Sequence, residues 1–416
     1  MKTKNFLSRF SAAALLAAAL IPAALTSCSS DSEPTPAPDP IPEGMAQINL
    51  SFAAPSLEVG TRAGEETAVS AEEGKLNSLW VYFFKQGDNT SELKYAFSIP
   101  TSGTTDVSDN TFQTGASLKP IQTVTTTAKD IITGMNVEPA TYHIYVLANL
   151  DGKCNELNPT NYASISEDDV TGAAFSTTDG TFALSAGLPM AADKTDLKNV
   201  SNATYTSSTG NLVVNAGSVS LTAEMTILCS KVRYTLFFDC TNSSSISWPY
   251  QSFELQENAL TLNNANTADK VFAVPEKDAY TQAVSLPTSR KDYPQGDALS
   301  SWFSDSFVGD LTGNGSGEKQ YVYQGYIYLN EDPSLVVDNK TNLKFNTILG
   351  VAGTTGTKEN KTFTVVLPNR NTADSEANKL CKGTYYDVVG KITGSGFDVQ
   401  VKIIDWVKAP ADNFEF

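Results

Sequence analysis

Gln47-Ile48-Asn49-Leu50-Ser51-Phe52 alternates polar and apolar side chains without a break. A period of two belongs to a half-buried β-strand, with Ile48, Leu50 and Phe52 on one face and Gln47, Asn49 and Ser51 on the other. The same vocabulary recurs along the chain. Runs rich in Val, Ile, Tyr, Phe and Thr, punctuated by Gly, Asn, Asp and Ser, occupy 78–84, 141–150, 211–219, 225–238, 321–329, 362–367, 385–392 and 397–406. Beyond the N-terminal stretch no long segment carries a helical period. The expectation is an all-β chain folded as sandwiches, with a few short helices, for example at 127–132 and 167–171. The Ser/Thr/Gly/Asn-rich stretch 201–217 precedes the longest strand-like run and sets a boundary near 217–224, giving an N-terminal domain over 45–220 and a C-terminal domain over 221–416. Polar stretches at 101–114 and 241–319 read as long surface loops.

The residues before the first strand carry a different message. Lys2, Lys4 and Arg9 form a positive start, and the apolar stretch from Ala12 to Leu25 is short and alanine-rich, as in a secretory signal. It ends in Leu25-Thr26-Ser27-Cys28, which resembles a bacterial lipobox, so residues 1–27 are expected to be a lipoprotein signal peptide and Cys28 the lipid attachment site, carrying acyl chains such as palmitate. Residues 28–44 follow as a proline-rich spacer, extended and semi-rigid, that holds the fold away from the membrane.

Composition removes several function classes. The formal charge of −17 becomes −20 once the three cations of the signal are lost, and no Lys/Arg cluster offers nucleic acid a basic face. The chain has one histidine, His143, inside a strand-like run, and no GxSxG, HExxH or Walker loop, so no enzyme activity and no cofactor is expected. Asp310, Thr312 and Asn314 followed by Gly315 imitate the start of a calcium loop, but Tyr321 stands where the bidentate glutamate belongs, which makes the run a polar turn. Glu167, Asp168 and Asp169 read as a solvated helix start. Cys154, Cys229, Cys240 and Cys381 allow three disulfide pairings, and their irregular spacing does not suit zinc.

Several segments, taken in order, resemble the type V fimbrillins, the pilus subunits of Bacteroides-like bacteria. They are residues 47–52 followed by Thr61-Arg62-Ala63, then Leu79-Trp80-Val81-Tyr82-Phe83-Phe84, Tyr142 to Asn149, Leu188-Pro189-Met190, Glu224 to Tyr234, Tyr326 to Glu331, and the end strands 385–392 and 399–406. The resemblance implies two transthyretin-like β-sandwich domains and proteolytic processing between Arg62 and Ala63. It also implies displacement of the first strand, bearing Ile48, Leu50 and Phe52, and assembly with copies of itself and with other fimbrial subunits. A strand leaving a half-buried groove at a sheet edge invites another in its place. Phe397, Val399, Val401 and Ile403 alternate in the same way and, with Trp406, Phe414 and Phe416, form the candidate donor strand, bulged or bent where Ile403 and Ile404 interrupt the alternation.

The expected function is therefore a fimbrial shaft subunit, a lipid-anchored outer-membrane protein in transit that ends in a cell-surface fimbrium and supports adhesion, with a surface receptor as a further partner. Two alternatives stand beside it: a fimbrial anchor or tip protein, and a glycan-binding surface lipoprotein whose aromatic platform would come from Trp248 and Trp302 rather than Trp80 or Trp406.

Overall fold

The computed structural model describes residues 41–53, 56–57, 73–74, 76–88, 90–99, 111–114, 117–120, 123–125, 131–158, 164–238, 250–273, 284–286, 289–293, 320–333, 340–351, 356–367, 382–392 and 397–407. Most of them form strands. A five-stranded sheet runs in the order β12 (Leu197–Ser201), β15 (Gly217–Glu224), β1 (Ala46–Ala53), β8 (Ile131–Val137) and β7 (Thr123–Thr125). A nine-stranded sheet packs against it. Its main path is β13 (Ala203–Thr206), β14 (Asn211–Val214), β9 (Ala140–Ala148), β3 (Leu79–Gln86), β4 (Ser91–Ile99), β5 (Thr111–Thr114) and β6 (Ser117–Pro120). There β11 (Met190–Ala192) joins β9, and β16 (Thr226–Ile227) joins β11.

One apolar core lies between these sheets. Ile48, Leu50, Val219 and Leu221 meet Phe83, Phe97, Ile144 and Val146 in it. Leu79 to Phe84 are buried without alternation because β3 is central to its sheet and covered on both faces, which is why six apolar residues follow one another there. Phe83 sits edge-on to Phe97 and Tyr142, with ring centroids 5.4 and 5.8 Å apart, the arrangement that the charge distribution of aromatic rings favours.

The remaining strands build a second layered pair. Six run as β2 (Ser56–Leu57), β26 (Phe397–Val407), β25 (Thr384–Ile392), β17 (Ser230–Phe238), β22 (Gln320–Leu329) and β21 (Ser289–Tyr293). Four run as β20 (Val284–Leu286), β18 (Tyr250–Asn263), β23 (Asn342–Val351) and β24 (Lys358–Val366). Val232, Tyr234 and Leu236 alternate along β17 and enter a separate core with Leu260, Leu262, Leu343 and Phe345. A small ladder of β10 (Ala174–Ser176) with β19 (Ala268–Lys270), and the bridge between Thr181 and Leu329, tie the first half of the chain to the second.

The all-β expectation holds, and its exceptions have local causes. The run 211–219 is broken into β14 and β15 where Gly217 takes φ +114°, a conformation closed to residues with a Cβ. The run 225–238 is broken because Thr226 and Ile227 pair with β11 before β17 begins at Ser230. The helix expected at 127–132 is not formed at its end, since Ile131 and Ile132 belong to β8, whose first positions pair with both β1 and β7. The stretch 241–319 is no continuous loop: it contains the fourteen-residue β18, with β19, β20 and β21. No bulge separates Ile403 from Ile404, because β26 pairs with β25 in unbroken register from Phe397 to Asp405.

The expected helix at 167–171 is present as α1 (Glu167–Gly172), started by a reciprocal capping box between Ser166 and Asp169. Its first residue is not a solvated charge. Glu167 turns onto the sheet, where Oε1 accepts hydrogen bonds from His143 Nδ1 at 2.7 Å, the Tyr145 hydroxyl at 2.6 Å and Lys194 Nζ at 3.0 Å, while Oε2 accepts from the Ser91 hydroxyl. The other imidazole nitrogen lies 2.7 Å from Asn211 Oδ1. Burial alone pushes this carboxyl up, but its hydrogen bonds from Ser91, Tyr145, Lys194 and His143 together outweigh that and hold the pKa at about 2, against 4.5 for a free glutamate. A folded-state pKa below the unfolded one gives stability that is complete above pH 4.5 and is lost as pH falls towards 2. We expect on the order of 3 kcal/mol of unfolding free energy to disappear across that window. Glu167→Gln should flatten this part of the profile when urea denaturation is followed as a function of pH.

Candidate functional site

The strand that opens the sequence reading is locked into the middle of a sheet. β1 pairs in parallel with β15 over its full length, Ala46 opposite Gly217 through Ala53 opposite Glu224, and antiparallel with β8 on its other side, with a register shift between Ile48 and Leu50. Ala46, Ile48 and Leu50 have no exposed surface, and Phe52 is partly buried against the same core. The polar face is also engaged. Asn49 donates to Ser218 Oγ at 3.0 Å, and the Ser51 hydroxyl donates to the Leu221 carbonyl at 3.2 Å and lies 2.8 Å from that of Thr222. The expected groove at a sheet edge is therefore corrected: β1 is interior, and its departure would strip the hydrogen-bond partner from two strands at once. Burial of Ile48 and Leu50 is worth gross about 3–6 kcal/mol together.

Two residues after β1 the chain crosses to the other sandwich, where β2 lies on β26 with Ser56 opposite Val407 and Leu57 opposite Trp406. The candidate donor residues Phe397, Val399, Val401 and Ile403 all belong to β26, which is held in the chain's own sheet by nine consecutive pairings with β25. Cys28, Arg62, Ala63, Phe414 and Phe416 lie outside the described residues. So do Trp248 and Trp302, whereas Trp80 is buried at 2% exposure and offers no platform to a glycan. Cys154 and Cys229 are buried free thiols.

Glu73 forms an anchor that its sequence context does not reveal. Glu73 is buried, and its Oε1 lies 2.6 Å from Lys231 Nζ and accepts the Tyr328 hydroxyl at 2.5 Å. The Lys231 ammonium also sits over the rings of Tyr326 and Tyr385, at 4.7 and 5.3 Å. Val232, Tyr234 and Leu236 point into the second core, so strand alternation sends Lys231 and Arg233 to the opposite face, where Lys231 meets Glu73 and Arg233 stacks 5.8 Å from the Tyr385 ring. Burial and the neighbouring carboxylate both raise the Tyr328 hydroxyl pKa, so it remains a donor. A glutamate in the run Ala71-Glu72-Glu73-Gly74 carries no signal of this in sequence. The result is a segment fixed at both ends, Leu57 on β26 and Glu73 on β17 and β22, with Arg62 and Ala63 between them in sequence. Glu73→Ala should leave the Lys231 ammonium buried without its carboxylate and lower unfolding stability by about 3–5 kcal/mol in urea titrations, whereas a surface change such as Glu92→Ala should fall within about 0.5 kcal/mol.

Among the described residues no group of three or more His, Cys, Asp or Glu side chains is placed to hold a metal ion. Residues 46–223 match the model of the family described as major fimbrial subunit protein FimA. The matched span contains β1 and both of its neighbours, β8 and β15. No curated protein matches the chain. Among solved structures, a putative cell adhesion protein from Parabacteroides distasonis aligns at 13% identity over 88% of this chain and 98% of that one, with a TM-score of 0.46. A fimbrilin from Porphyromonas gingivalis aligns at 11% identity over 88% and 98%, also at 0.46, and a C-terminally truncated tip fimbrial protein, Mfa3, from the same organism at 12% over 87% and 100%, at 0.43. Over residues 46–223 the chain is fimbrillin-like, similar to a family of fimbrial structural subunits.

Proposed function

We propose that this protein is a shaft subunit of a cell-surface fimbria, exported as an outer-membrane lipoprotein on Cys28, trimmed between Arg62 and Ala63, and polymerised by strand exchange between two-domain subunits. The observation that carries the reading is the seat of β1. A strand near the start of the described chain fills an interior slot between β15 and β8, with Ile48 and Leu50 fully buried. A strand so placed is removable by one cut downstream of it, and its loss leaves two unpaired edges flanking an apolar groove of defined register. A strand from a second copy restores main-chain pairing along both edges and fills the vacated pockets, as β-augmentation does in general. The alternating Phe397, Val399, Val401 and Ile403 supply the matching chemistry, with Trp406, Phe414 and Phe416 beyond them. In this reading the two sandwiches are transthyretin-like domains, other fimbrial subunits and a surface receptor are the partners, and adhesion is the outcome.

One observation favours a second reading, a fimbrial anchor. β26 is paired with its own β25 from Phe397 to Asp405, as suits a subunit that keeps its C-terminal strand. An anchor also keeps β1 and its lipid, so the two readings differ at the N-terminus of the protein recovered from cells. The shaft reading expects Ala63 there and the anchor reading expects Cys28. Arg62→Lys should block an arginine-specific cut while preserving charge, leaving residues 46–53 in the surface protein and reducing fibre yield at least tenfold. Wild-type fibre yield from that variant, with residues 46–53 still present, would contradict trimming as the trigger.

A further inference from the structure

We infer that Ser56-Leu57 is a latch on the end of the C-terminal strand, so that loss of the segment containing β1 frees both the groove in the first sandwich and the end of β26 in the second. The pairing pattern carries this. β25 accompanies β26 only as far as Asp405, opposite Thr384, and among the described residues Trp406 and Val407 have β2 alone as a strand partner. Among the described residues, the end of β26 is therefore paired only by two residues that closely follow β1.

A two-residue strand cannot hold itself in place, since nucleating so short a pairing sacrifices more chain entropy than its hydrogen bonds return. Its support is β1. Only residues 54 and 55 separate Ala53, the last residue of β1, from Ser56, and β1 is fixed on both sides by β15 and β8. So short a tether keeps β2 at high effective concentration beside Trp406 and Val407. The dependence is consequently one-way. Losing β1 loses β2 and loosens the end of β26, whereas losing β2 leaves β1 seated. The inference deepens the proposed assembly cycle, because it makes one cut expose acceptor and donor together and keeps an untrimmed subunit closed at both places. It rests on that proposal for its biological use alone, since the contact is tested on monomers.

The test is hydrogen exchange on the full chain carrying an inserted specific protease site between residues 58 and 72, which removes any dependence on cleavage at Arg62. In the uncut protein, Ser56→Pro with Leu57→Pro eliminates both amide donors of β2. We expect exchange at whichever of Trp406 and Val407 donates its amide to β2 to rise at least tenfold, while the amides of Gly217–Glu224 in β15 change less than twofold. Cutting the parent protein and washing away the N-terminal fragment should accelerate exchange at both places. Unchanged exchange at Trp406 and Val407 after removal of the fragment would overturn the latch, as would a proline variant that opens β15 as much as it opens β26. If the proline variant does not fold, the cut parent protein decides by itself. Fibre formation enters none of these readings, so failure of the latch is distinguishable from failure of the assembly proposal.

Discussion

The first sandwich depends on a strand that is an interior member of its sheet and yet comes from near the start of the described chain. β1 is hydrogen-bonded on one side to β15 and on the other to β8, and it places Ala46, Ile48 and Leu50 in the core. Remove it and, among the described residues, β15 keeps only β12 as a neighbour in that sheet, while β8 keeps only β7. The sheet would then consist of two short pairs around an apolar slot. Such an arrangement is stable while filled and associative when empty, because unpaired backbone groups and exposed aliphatic surface both seek partners. A fold suited to exchange needs this combination: an element important enough that its vacancy must be filled, and placed so that a single cut releases it.

Other contacts tie the chain together without involving β1. Downstream of Leu57, at Glu73, the chain is fixed by an ion pair whose carboxylate also accepts a tyrosine hydroxyl. Buried pairs of this kind add little net stability against a well-packed apolar alternative, but they are unforgiving of misplacement, since either partner alone is a buried charge. They therefore fix position more than they add energy. The ladder between β10 and β19 and the bridge from Thr181 to Leu329 act in the same direction by joining the two halves through backbone contacts.

Alternation made much of this legible. Gln47 to Phe52 announced a strand and the side that is buried, and the runs at 78–84, 321–329 and 385–392 became β3, β22 and β25 with small changes at their ends. What escaped was of two kinds. Pairing partners are non-local: nothing in residues 47–52 names Gly217–Glu224 as a parallel neighbour, so alternation alone does not tell an interior strand from one at an edge. Buried polar groups look like surface ones in sequence: Glu73 and Glu167 both stood in acidic runs that suggest solvent, and each is held instead by cations and tyrosine hydroxyls from strands far away in the chain. His143 lies in a strand, as its sequence context suggests, while its contacts with Glu167 and Asn211 follow only from the packing of β9, β14 and α1. The two-residue β2 has no periodicity to detect, and its meaning comes wholly from the strand it touches.

The central claim is that the slot between β15 and β8 is a reusable strand-binding site. It is tested most directly by isothermal titration of a synthetic peptide with the sequence of residues 46–57 into protein from which that segment has been cut and removed. The account predicts saturable one-to-one binding with a negative heat-capacity change, the mark of apolar burial, and at least tenfold weaker binding when Leu50 of the peptide is replaced by Asp. A trimmed protein that remains folded and binds neither peptide, or binds both equally, would contradict it.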